Sequence, residues 1–240
     1  MENPRFPVSL FTASVLCLLA VLVLTLASAP CAKGSDIDIS ELKARAMQGD
    51  ADAQFNLGHM YAKGEGVSKD ATEAVKWWRM AAEQGFAIAQ NSLGLMYDRG
   101  IGVPKDATEA VKWFRKAAEQ HDADAQFNLG LMYYKGEGVP KNATETVKWW
   151  RKAVEQGNAI AQCNLGAMYH RGEGVPKNNV QAYKWWDLAA AGGDELAAEN
   201  RRLLEREMTP AQIAEAQRLS AQFAPRKAGA ETTPETSPSP

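Results

Sequence analysis

The sequence predicts an all-α chain wound into a right-handed α/α superhelical solenoid. Two observations carry this expectation. A unit of 36 residues recurs four times without gaps, at 51–86, 87–122, 123–158 and 159–194. A period of that length marks arrays in which each unit buries its apolar face only against its neighbours. Inside each unit the apolar spacing is helical, and no segment alternates as a strand would. Composition sets the outer limits. The 240 residues are 45% hydrophobic and 23% charged with a formal net charge of -2, which excludes wholesale disorder and offers no basic excess for nucleic acid. Three cysteines exclude a disulfide-dense scaffold.

The chain opens on a targeting segment. Arg5 lies in a short polar start, and an apolar run follows over 8–29. Ala27-Ser28-Ala29 is the small-residue pattern that signal peptidases cut. Three fates are open for residues 1–29: removal as a signal peptide, retention as a membrane anchor, or lipidation at Cys31, which Pro30 fits poorly. Each places the remainder outside the cytoplasm. Residues 35–50 follow as an N-terminal capping half-repeat, with Gly49 one period before Gly85.

Each repeat then reads as two helices. The first (A) covers about 51–63, and Gly64 suits the left-handed residue that ends a helix. Gly64-Glu65-Gly66-Val67 is the loop. Asp70-Ala71-Thr72-Glu73 reads as a capping box, in which Asp70 accepts from free backbone N–H groups and Glu73 reaches back. Asp106 with Glu109, Asn142 with Glu145 and Asn178 with Gln181 hold the same positions later. The second helix (B) runs to about Gln84. Residues 195–224 form C-terminal capping helices: Thr209-Pro210-Ala211-Gln212 starts the last one, and Ile213, Ala216, Leu219 and Phe223 share one face of it. The tail, 225–240, is rich in Pro, Ser, Thr and Glu and reads as disordered.

The recurring A-x-A-Q-x-x-L-G-x-M-Y, then G-x-G-V, then K-W and an Ala-rich close, resembles the Sel-one-like repeat family, a branch of the tetratricopeptide-type helical repeats. The resemblance covers 51–194. It implies adaptors and scaffolds with varied protein partners, a bacterial origin, and A helices lining a concave side.

On a helical wheel the A-helix positions identical in all four repeats fall on one half. In the first repeat these include Ala53, Gln54, Leu57, Gly58, Met60 and Tyr61, the residues that stacking demands of every unit. The positions that vary fall on the other half. With the resemblance, this second half becomes the expected protein-binding groove, carrying Phe55, His59, Leu95, Phe127, Leu131, Tyr134 and His170. Apolar groups exposed together mark binding surfaces. Phe127 and Tyr134, near the middle of the array, are the expected anchors.

Catalytic, cofactor and metal readings find no support. Gly64-Glu65-Gly66 follows no strand and lacks the Gly-Lys-Ser/Thr of a phosphate loop. Ser40-Glu41-Leu42-Lys43 has the spacing of a penicillin-binding nucleophile but none of its companion motifs. Cys163 and His170 stand about 10 Å apart along one helix by rise, too far to share a zinc ion. The tandem aromatics Trp77-Trp78, Trp113-Phe114, Trp149-Trp150 and Trp185-Trp186 are stacking residues repeated with the unit, or, if accessible, a glycan platform. The expectation is a non-enzymatic adaptor without cofactor, metal or nucleic acid, exported to the periplasm or envelope, which meets the membrane only if residues 1–29 are retained. Its partner is a protein or peptide. The alternatives are a secreted factor binding a host protein and a cell-wall glycan module.

Overall fold

The computed structural model describes residues 39–224. The leader, with its cleavage and anchoring alternatives, and the tail lie outside the described residues. Those described form eleven α-helices and no strand: α1 (Ile39–Met47), α2 (Ala51–Lys63), α3 (Ala71–Glu83), α4 (Ala87–Arg99), α5 (Ala107–Glu119), α6 (Ala123–Lys135), α7 (Ala143–Glu155), α8 (Ala159–Arg171), α9 (Asn179–Ala191), α10 (Glu195–Glu205) and α11 (Pro210–Ala221). Helices α2 to α9 are the A and B helices of the four repeats in order. Each packs on the next, and α11 folds back on α9 to close the array.

Local chemistry sets the helix ends. Asp70 and Asp106 each accept two backbone N–H bonds at the starts of α3 and α5, and Asn142 and Asn178 each accept one at α7 and α9. The reciprocal half of the expected capping box is replaced. Glu73, Glu109 and Glu145 turn along the helix to Lys76, Lys112 and Lys148, because the Asp70, Asp106 and Asn142 N–H groups they would reach back to already donate to the Tyr61, Tyr97 and Tyr133 carbonyls at 2.9 Å. The full box forms at Thr209 and Gln212, where the Thr209 N–H donates to the Gln212 side chain. Every A helix of the repeats ends in a left-handed glycine, as at Gly64 with φ 80°.

Three ladders hold the stack. The first is apolar: Leu57, Leu93, Leu129 and Leu165 are fully buried, and Trp78, Phe114, Trp150 and Trp186 pack on Gly58, Gly94, Gly130 and Gly166 of the helix before. The Trp78, Trp150 and Trp186 indoles also donate to backbone carbonyls of Phe55, Phe127 and Cys163. The second is a chain of buried amides. Gln90 donates to the Ala82 carbonyl behind it and accepts from Gln120 ahead at 2.8 Å, and Gln54 and Gln126 repeat the pattern. Pairing satisfies polar groups that would otherwise destabilise the interior.

The third ladder joins each B helix to the next A helix. Arg79, Arg115 and Arg151 donate to the hydroxyls of Tyr97, Tyr133 and Tyr169 at 2.5, 2.7 and 2.5 Å, each guanidinium also lying over the ring. Lys43 takes the arginine position above Tyr61 at the N-terminal end. At the C-terminal end the slots change: Asp187 stands where arginine would, Glu205 where tyrosine would, and Arg201 bridges both.

Candidate binding face

The stack leaves one side of the A helices without a covering helix, and most of the sequence-predicted site lies there. Phe55, His59, Leu95, Leu131, Tyr134 and His170 are all half-buried, each keeping part of its surface in solvent. Two cross-links define the floor between adjacent A helices. Asn128 of α6 donates to Asn91 of α4 at 3.0 Å, and Arg171 of α8 donates to the Tyr134 hydroxyl of α6 at 3.4 Å. Both join residues 37 apart, so the floor is one surface running across repeats.

Phe127 corrects the expectation. It is only 4% exposed and stacks on Trp150 with ring centroids 6.0 Å apart, so it belongs to the core of repeat three. Phe55, in the same slot of repeat one, turns to Phe86 at 5.4 Å and His59 at 6.5 Å. The residue in the Phe86 slot next to Phe127 is Asn158, which offers no apolar partner and caps α8 instead. Phe127 therefore packs onto Trp150. Tyr134 lies on the same indole at 5.8 Å and becomes the outermost aromatic there.

Electrostatics differ along the face. Burial lowers the pKa of the His59 and His170 imidazoles, with Lys63 and Lys177 adding to the effect. His170 sits 5.5 Å from Trp186. Lys141 stands over Tyr134 with its Nζ 5.6 Å from the ring centroid, and Arg171 also approaches Glu173 at 3.4 Å. Among the described residues no three His, Cys, Asp or Glu side chains gather as a metal site would require.

On the opposite side, the B-helix aromatics are packing residues. Trp113, Trp149 and Trp185 are buried, each beneath a lysine ammonium at 4.2 to 4.3 Å. Trp77, at the same position of repeat one, is partly exposed. Lys184 is half-buried over Trp185, and burial lowers its pKa. Sequence reasoning missed the Asn91–Asn128 bridge, although two amides in adjacent slots of consecutive repeats were the available signal.

The Sel1 repeat profile matches residues 51–86, 87–122, 123–158 and 159–194. The chain belongs to the Sel1 repeat family. A protective antigen of uropathogenic Escherichia coli strains, displaying an SLR fold, is similar at 41% identity over 77% of this chain with a TM-score of 0.71. This chain spans 40% of that antigen's length. A Sel1 repeat protein from Oxalobacter formigenes is similar at 36% identity and a TM-score of 0.67, covering 76% of this chain and 75% of its own. No curated protein sequence matches significantly. Sel1 repeat proteins are generally protein–protein interaction scaffolds and are typically non-catalytic. Among the described residues no helix is long and apolar enough to cross a membrane.

Proposed function

We propose that this Sel1 repeat protein is a non-catalytic scaffold of the bacterial envelope, and that a protein or extended peptide binds along the open face of its A helices. The observation supporting this is a division of labour within one helix type. Residues shared by all four A helices, such as Leu129 and Gly130, are consumed in stacking. Of those that differ, Leu95, Leu131 and Tyr134 keep an edge in solvent, while Phe127 does not. Apolar and aromatic edges gathered on one face are the kind of surface a partner covers. The apolar run before the array supports a location outside the cytoplasm.

The test is site-specific photo-crosslinking in the source cell, with the reactive residue at Tyr134 and a control at exposed Lys148. A discrete protein adduct at Tyr134 alone is expected. Equal adducts at both positions, or none at Tyr134 in folded and exported protein, would remove the face from consideration. A second reading, a factor exposed to host proteins, draws on the similarity to the uropathogenic antigen. It uses the same face and is separated by fractionating the source cell.

A further inference from the structure

The open face is electrically lopsided, and the imbalance falls on its outermost aromatic. Each A–B connection carries two cations. In repeat two, Arg99 and Lys105 are matched by Asp98 and Asp106. In repeat three, Lys135 and Lys141 have Glu137 alone, and in repeat four, Arg171 and Lys177 have Glu173 alone. Two substitutions remove the acids: the helix cap changes from Asp106 to Asn142 and Asn178, and the slot of Asp98 becomes Tyr134 and His170. Capping needs only an acceptor, and the Asn142 amide oxygen supplies it to the Glu145 N–H. The fold therefore tolerates either cap, and the amide leaves a cationic excess that the aspartate would have neutralised.

The excess has a defined centre. Tyr134 lies on the Trp150 indole, Lys141 stands over its ring, and Arg171 reaches its hydroxyl from the next repeat. Lys141 and Arg171 are exposed, and Glu173 holds Arg171 only at 3.4 Å, an exposed pair that contributes little. Glu207 of the C-terminal cap acts on His170, against the larger opposite effect of Lys177. An arginine and a lysine flanking one aromatic edge match a carboxylate carried beside an apolar side chain.

We propose that the repeat-three and repeat-four end of the groove receives an acidic peptide segment, with a carboxylate between Arg171 and Lys141 and a neighbouring apolar side chain on Tyr134. This rests on the groove reading above and fixes the chemistry and polarity of the occupant: its acidic part lies toward the C-terminal repeats.

The test uses the full chain and a labelled eight-residue peptide alternating glutamate and leucine, beside its glutamine counterpart, followed by fluorescence anisotropy at low salt. The glutamate peptide is expected to bind about fivefold tighter or more, the range two exposed charge pairs supply, and to lose that margin as salt rises. The double variant Lys141→Gln, Arg171→Gln should abolish the preference. The matched Arg99→Gln, Lys105→Gln should retain it, with circular dichroism confirming that both are folded. Equal binding of the two peptides, loss in both double variants, or no binding at all would overturn the proposal. Capture by phosphatidylglycerol vesicles but not by peptide, abolished in the same Lys141 and Arg171 variant, would overturn it by assigning the cluster to a lipid surface. The groove reading fails separately, through the crosslink at Tyr134: an adduct there with equal peptide binding would leave the groove standing and remove its acidic specificity.

Discussion

Tyr133 and Tyr134 are consecutive in the chain, yet their hydroxyls answer to opposite neighbours. Tyr133 accepts from Arg115 of the preceding B helix at 2.7 Å, whereas Tyr134 accepts from Arg171 of the following A helix at 3.4 Å. The first contact belongs to the ladder that holds every repeat junction. The second lies on the open face. A single residue step along the helix thus moves a tyrosine from the repeat junction to the open face.

This separation is measurable by urea unfolding. Tyr133→Ala removes a ring from the junction between repeats two and three and leaves the Arg115 guanidinium without its acceptor, at an expected cost of about 2–4 kcal/mol. Tyr134→Ala trims a half-exposed ring and should cost less than about 1 kcal/mol. Equal losses would mean that the two tyrosines share one structural role.

Gly130 faces Trp150 so closely that a Cβ would lie 2.5 Å from the indole Cδ1. The indole cannot retreat freely, since its N–H is engaged by the Phe127 carbonyl at 3.1 Å. Gly130→Ala should therefore cost about 1–3 kcal/mol through overpacking, despite the better helix propensity of alanine. Thermal unfolding followed at 222 nm reads the outcome, and a rise in midpoint would show that the helices part without penalty.

His121 has φ 65° at a position where Gly85 and Gly157 have φ 92° and 89°. A side chain is strained in this left-handed region, and only glycine visits it freely. His121→Gly should raise stability by about 0.5–1 kcal/mol, the relief exceeding the added freedom of the unfolded chain. A chemical denaturation midpoint that falls instead would assign the imidazole a compensating contact.

Asp122 caps α6 through the Ala125 N–H at 2.7 Å, but burial pushes its carboxyl up to about 6 from the usual 3.8. In the next repeat the corresponding Asn158 finds a partner in Asp124, whereas the residue one period before Asp124 is Ile88. A raised carboxyl means that the folded chain binds the proton more tightly than the unfolded chain. The favourable contribution is then complete below about pH 4 and is lost as pH rises through about 6. Asp122→Asn should leave the melting temperature nearly unchanged at pH 4. At pH 7 it should gain on the order of 1 kcal/mol, the full shift being reduced by solvent and by the helix N-terminus. Parallel melting profiles across that range would exclude a buried, proton-retaining carboxyl.

Most of the fold was legible because a repeat states its structure four times. Gly64, Gly100, Gly136 and Gly172 mark the ends of the A helices in the sequence as they do in the structure, and Thr209-Pro210 announces α11. The wheel places Leu129 and Leu131 on different halves, and the structure buries the first fully and the second in part. Phe127 escaped because period assigns a slot but not its occupants' neighbours: the same slot is lined by Phe86 in one place and Asn158 in another, and the side chain follows the nearest apolar surface. The turn of Glu73 toward Lys76 escaped for a similar reason, since the Asp70 N–H goes to the Tyr61 carbonyl across the loop, a contact that the local pattern does not announce.

The altered rung at Asp187, Arg201 and Glu205 bears on how such an array can lengthen. Each internal junction offers an arginine to a tyrosine, so a duplicated unit placed between existing repeats would find matching contacts on both sides. A unit appended after Asp194 would present its tyrosine to Asp187, which can accept the hydroxyl as Glu205 accepts from Tyr183 but lays no guanidinium over the ring. An inserted unit would thus keep the arginine-over-tyrosine rung at both of its junctions, whereas an appended one would exchange it for a single hydroxyl–carboxylate bond and displace Arg201 from its two carboxylates.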